Sequence, residues 1–209
     1  MSQTSPAGGD AAADAVAAEL DRIAELSTNA EGVSPANAKP ASAAPPAGPS
    51  LEVNDWLART LRLIDSLKKP DDTKPEQVAR TLGIPLFEQD SAHRTTGQLV
   101  AAGTYSVWSD ALYREHPNKW TVGLSQQSTG GKIDCLFPLE TLRTHVLQLG
   151  YKATEGVIRR DGSEHALFRS PASNDGVIFV VEVKIQRTAG EQACIQEIEI
   201  DANTREEGA

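Results

Sequence analysis

Apolar residues recur near a period of 3.6 in two stretches before residue 84, and near a period of two over most of the chain after residue 97. In NDWLARTLRLIDSLKKP, Trp56 or Leu57, Leu61, Ile64 and Leu67 mark one helix face. Asn54 or Asp55 suits the N-cap, and Lys68, Lys69 and Pro70 close the helix. TKPEQVARTLG reads as a second, short helix: Pro75 opens it, Val78, Ala79 and Leu82 point inward, and Gly83 terminates it. Residues 84–97 read as irregular chain.

The spacing then predicts a strand over 98–108, broken or bulged at Gly103. Trp120, Val122 and Leu124 alternate, as do Ile133, Cys135 and Phe137, and the intervening QSTGG predicts a hairpin between these two runs. A helix follows over 138–149, opened by Pro138 and ended by Gly150, with Leu139, Leu142, Val146 and Leu149 on one side. Four strands are expected over 151–159, 164–170, 176–187 and 192–201, with Asp161-Gly162 as a hairpin turn. In the strongest of them, Val177, Phe179, Val181, Val183 and Ile185 share a face. Ile178 and Val180 make its other face partly apolar, the pattern of a central strand covered on both sides. The order α-α-β-β-β-α-β-β-β-β implies an α+β fold: a mainly antiparallel sheet with a helix packed on one face. The chain shows no internal sequence repeat.

Composition divides the chain. Residues 1–50 hold 15 alanines, six of the 12 prolines and no aromatic residue, too little apolar surface to offset the entropy of ordering. They are expected to be a disordered Ala/Pro-rich tail with a marginal helix near 11–26, where Val16, Leu20 and Ile23 recur at helical spacing. A single α+β domain is expected over 51–202, and an acidic C-terminal tail over 203–209.

Charge follows the same division. Of the net charge of -9, residues 1–50 carry six acids and two bases and residues 191–209 six acids and one base, so the middle is neutral. No basic footprint suits a phosphate backbone, which argues against nucleic-acid partners, whereas acidic ends suit a basic protein. No apolar run approaches the roughly 20 residues of a membrane span. The first residues lack a basic n-region and an apolar h-region, so the expectation is cytoplasmic as written, or periplasmic if an N-terminal signal has been removed.

Catalytic patterns fail on inspection. STGGK (128–132) lacks the first glycine of a phosphate-binding loop and has Ile133 where that loop needs Ser or Thr. Ser125 in GLSQQ lacks the second glycine of a nucleophile elbow. His93, His116, His145 and His165 are not at metal-ligand spacing, so no metal and no cofactor is expected. Glu197 and Glu199 share one strand face, as an acid pair or as a polar outer face. Cys135, ahead of a helix start, is a conceivable thiolate, but no histidine is placed by sequence to serve it. Alternation puts Cys135 and Cys194 on apolar strand faces. That points first to buried free thiols, and second to a Cys135–Cys194 disulfide, which needs an oxidising compartment.

The function expected by elimination is a non-enzymatic protein-interaction module: an adaptor or a small inhibitor of the immunity type that neutralises a bacterial toxin. Trp108, Tyr113 and Trp120 are the contact candidates, with core packing as the alternative for them. The competing expectation is a small hydrolase or transferase with a site assembled from Cys135, His145 and His165. Nothing in the pattern sets an oligomeric state.

Overall fold

The computed structural model describes residues 47–89, 91–111, 119–129 and 135–204. The helix expected over 11–26, Tyr113, His116, Ile133 and the two glycines of QSTGG lie outside them.

Helix α1 (Val53–Ser66) buries Trp56, Thr60, Leu63 and Ile64, the i, i+4, i+7, i+8 stripe of a core-facing helix. Leu63, rather than the expected Leu61, is the deep position. Helix α2 (Pro75–Leu82) buries Pro75, Val78 and Leu82. It ends at Gly83, whose φ of 63° is left-handed, and the Ile84 N–H reaches back to the Ala79 carbonyl. Arg59 joins the two helices, its guanidinium donating to the Leu82 and Gly83 carbonyls and to Asp55.

Strands β1 (Phe87–Gln89), β2 (Ala92–Leu99), β3 (Gly103–Asp110) and β4 (Thr121–Ser128) precede helix α3 (Leu139–Gln148). Strands β5 (Lys152–Ile158), β6 (Glu164–Arg169), β7 (Val177–Arg187) and β8 (Ala193–Thr204) follow it. All eight form one sheet in the order β1-β2-β3-β4-β8-β7-β6-β5, and the pairings are antiparallel. The fold is therefore α+β. Two four-stranded meanders, each preceded by a helix, meet along β4 and β8, a topological repeat that has no counterpart in the sequence.

Several expectations are corrected. The strand expected over 98–108 is two strands, because the chain turns between Leu99 and Gly103. Ala101 takes the positive φ of that turn, 54°, a conformation that Gly, Asn or Asp usually supplies, so the turn's one signal is the break expected at Gly103, where β3 begins. Much of the supposedly irregular 84–97 is β1 and β2. The inward positions of β2 include Thr95 and Gly97, which hide the alternation. Gly97 is required there, since a Cβ would overlap the ring of Tyr105. The hairpin expected between 120–126 and 132–137 does not form: β4 pairs with β3 and β8 instead. Leu136 and Phe137 lie outside any strand, and the chain joins the sheet through a Pro138–Cys194 bridge and the Ile195 N–H on the Phe137 carbonyl.

The cysteines are not free thiols. Cys135 and Cys194 form a disulfide, with Cα atoms 5.4 Å apart, which holds the segment before α3 against the start of β8. Among the described residues, Gly48 is the first that bonds to the sheet. The Gly48 and Leu51 N–H groups bond the Thr96 and Gln98 carbonyls along the edge of β2, and the Tyr105 hydroxyl donates to the Pro49 carbonyl at 2.8 Å. β8 runs on to Thr204.

The helices pack on one sheet face, where Leu142, Val146, Val107, Phe179, Val181 and Ile198 belong to one core. Trp56 centres this layer. It stacks on Tyr105 with ring centroids 4.9 Å apart and donates its indole N–H to Gln126 Oε1 at 2.7 Å. Gln126 Nε2 in turn donates to the Ile195 carbonyl at 2.8 Å, so a buried amide is satisfied at both ends.

The disulfide spans 59 residues of sequence. On the chain-entropy account, Cys135→Ala/Cys194→Ala lowers the unfolding free energy by roughly 4 kcal/mol, read from urea unfolding followed by tryptophan fluorescence. A loss below about 1 kcal/mol would show that the unfolded chain is not what the bond constrains.

Candidate functional site

Strand alternation sends every second side chain away from the helices. On that face stand Trp108 of β3, Gly123 of β4, Glu197, Glu199 and Asp201 of β8, and Val180, Glu182 and Lys184 of β7. Among the described residues no helix covers it. Register aligns Arg94, Trp108, Gly123, Glu199, Glu182 and Leu167 in one row across six strands. The adjacent row places Ser125, Glu197, Lys184 and His165 side by side.

Two features give this face its character. The first is steric: a Cβ at Gly123 would lie inside the indole of Trp108, so the ring lies across Gly123 and roofs the middle of the row. The second is electrostatic. Glu182 and Glu199 stand directly opposite each other on β7 and β8, a like-charge pairing that weakens a sheet. Arg159 forks onto both oxygens of Glu182, and His165 Nδ1 lies 2.8 Å from Glu182 Oε1. Asp201 accepts from the Thr121 hydroxyl. Burial holds the Glu199 carboxyl above its ordinary range, and Asp201, Glu182 and Glu197 push it in the same direction against the pull of Arg159.

The residues singled out from sequence are dispersed. Trp108 lies on the open face. Trp120 meets His93 edge-on at 5.8 Å, and His93 alternates with Thr95 and Gly97 on the helix side, so the two tryptophans do not form one patch. Cys135 is committed to its disulfide. His145, on α3, lies 2.7 Å from Asp65 of α1 on the helix side of the sheet, whereas His165 faces the open side. The structure therefore does not bring Cys135, His145 and His165 together. His165 Nε2 lies 2.7 Å from Ser163 Oγ, but that hydroxyl gives its one proton to Asp161 Oδ1, so the ring nitrogen donates to Ser163 rather than accepting from it. The Ser163 proton is held by a carboxylate rather than by an imidazole, so Ser163 and His165 do not form a serine–histidine pair. Ser125 sits within β4, paired with Ser106 and Glu197.

Glu182 and Arg159 were not marked by the sequence. Glu182 and Lys184 do interrupt the most apolar strand at alternate positions, which is the signal that one face of it meets water. The strand is central, as its pattern implies, but helices cover only one of its faces. Among the described residues no three His, Cys, Asp or Glu side chains are grouped to hold a metal, and no helix is long and apolar enough to cross a membrane. Compared with models of protein families, with curated proteins and with solved structures, the chain matches none.

Glu199 binds its proton more tightly folded than unfolded, so the fold loses stability as pH rises through that carboxyl's raised folded value. Glu199→Gln removes the loss. It is expected to raise stability at neutral pH by a few tenths to about 1 kcal/mol and to flatten the pH profile just above the ordinary carboxylate range, read from urea midpoints across pH. Gly123→Ala displaces the indole and is expected to cost about 1–3 kcal/mol, with a change in tryptophan emission.

Proposed function

We propose that the chain is a protein-interaction module, an adaptor or immunity-type inhibitor, that receives a basic partner protein on the open face of its sheet. The observation that carries this reading is the group of carboxylates on the adjacent strands β7 and β8, Glu182, Glu197, Glu199 and Asp201, on a face that the helices leave uncovered. Like charges placed directly opposite weaken a sheet, and Arg159, bound to Glu182, offsets the repulsion felt by Glu199 only in part. A cationic side chain supplied by a partner lowers the energy of Glu199 and lies beside the Trp108 indole, where cation–π attraction adds to the ion pair. The Cys135–Cys194 bond favours an oxidising compartment, hence the periplasmic or an extracellular setting over the cytoplasmic one.

The test is capture from native lysate on the immobilised full chain at low and at physiological salt, repeated with Glu197→Gln/Glu199→Gln. The expected result is a basic protein held by the wild type, weakened by salt, and lost with the double variant. No captured protein at either salt, or one retained equally by the double variant, would sink the proposal.

A further inference from the structure

On the helix side of the sheet, a cavity of about 210 Å³ opens between the C-terminal ends of α1 and α3 and the loop joining β6 to β7. Ile64, Leu67, Val177 and Phe179 make its walls apolar. The loop that closes it is internally braced: Ser170 Oγ accepts the Phe179 N–H and donates to the Pro171 carbonyl, and Ser173 Oγ accepts the Val177 N–H. The wall is therefore preformed. Leu149, also in the lining, is 38% exposed and marks the cavity mouth.

One lining residue gives the cavity a polar feature. Tyr151 is only 7% exposed, and its hydroxyl has no hydrogen-bond partner among the described residues. It is not one of the fully enclosed unpaired polar atoms, so the hydroxyl is open to whatever fills the cavity and offers it a donor. Burial, with Asp65 nearby, pushes the Tyr151 hydroxyl up to about 12, so it stays a donor at any physiological pH.

Charge does not select an ion. Lys68 lines the cavity and favours an anion. The C-cap residues of both helices, Leu67 and Leu149, also line it, and the helix ends they close carry partial negative charge that favours a cation, as does Asp65. These influences oppose each other within a small volume. An apolar cavity of roughly 150 Å³ takes a benzene, so this one accommodates a single substituted ring or a branched aliphatic of similar size.

We infer that this cavity is a binding site for a small uncharged molecule, about one ring in size, that carries a hydrogen-bond acceptor for the Tyr151 hydroxyl. The site is independent of the acidic face, because Val177 and Phe179 project to the side of β7 opposite Glu182.

The experiment uses the full chain and four compounds of similar size: acetophenone, ethylbenzene, benzoate and benzylamine. Saturation-transfer NMR and titration measure each. Acetophenone is expected to bind saturably and roughly three- to tenfold more tightly than ethylbenzene, the range one hydrogen bond supplies, and both charged compounds more weakly than acetophenone. Tyr151→Phe removes no hydrogen bond from the fold and is expected to leave ethylbenzene binding intact while erasing the preference for acetophenone. Leu149→Trp, at a half-exposed position, fills the mouth and abolishes binding of both neutral compounds. The inference is overturned if neither neutral compound binds saturably, if a charged one binds most tightly, if the preference survives Tyr151→Phe, or if binding survives Leu149→Trp.

Discussion

Four residue pairs between β4 and β8, from Val122↔Ile200 to Ser125↔Glu197, hold the two meanders together. Each meander builds itself from neighbouring strands and short turns, but this seam joins segments more than seventy residues apart and bears the entropic cost of closing that loop. The side chains around it are arranged accordingly. Beyond one end of the pairing, Lys119 donates to Asn203 at 2.8 Å and Thr121 donates to Asp201. At the other, Gln126 donates to the Ile195 carbonyl and receives Trp56, so the first helix is fastened across both strands at once. The Cys135–Cys194 bond then ties the crossover segment to the start of β8. Without the seam, each half would present a four-stranded sheet with an open edge and half a core.

The seam also decides where charge accumulates. β8 is central, so its outward residues, Glu197, Glu199 and Asp201, stand in the middle of the sheet rather than at a hydrated edge. Gly123, the β4 partner of Glu199, leaves a gap that the Trp108 indole covers. An acidic side chain at the centre of a sheet and beside an aromatic ring is only partly hydrated. The same four residue pairs that close the fold thus create the face on which a cationic partner is favoured.

The helix side differs in kind. There the apolar stripes of α1, α2 and α3 bury one face of both meanders, and polar groups such as Gln126 and Ser109 are paired within the protein: Ser109 donates to the Thr73 carbonyl at 3.0 Å. Thr60 Oγ1, His93 Nδ1 and Thr95 Oγ1 are enclosed there without a hydrogen-bond partner, whereas the Tyr151 hydroxyl meets the cavity left where two helices end and the loop between β6 and β7 does not fill the space between them. The two candidate surfaces lie on opposite sides of one sheet, so occupation of one does not sterically exclude the other.

Local physics made much of the fold legible. Helical spacing with Pro75 and Gly83 marked α2 with its ends, the Leu139–Leu142–Val146 spacing marked α3, and alternation with Asp161-Gly162 marked the second meander. Alternation also placed Glu197 and Glu199 together on one face. The turn at Ala101 was legible only as a break at Gly103, because an alanine at positive φ leaves no compositional trace. β2 was hidden because its inward positions are small or polar to make room for the ring of Tyr105. The pairing of β4 with β8, the disulfide, the opposition of Glu182 to Glu199 and the unpaired hydroxyl of Tyr151 were decided only by tertiary structure. Each depends on the register or packing of segments far apart in sequence, whereas periodicity and capping record only what a residue requires of its near neighbours.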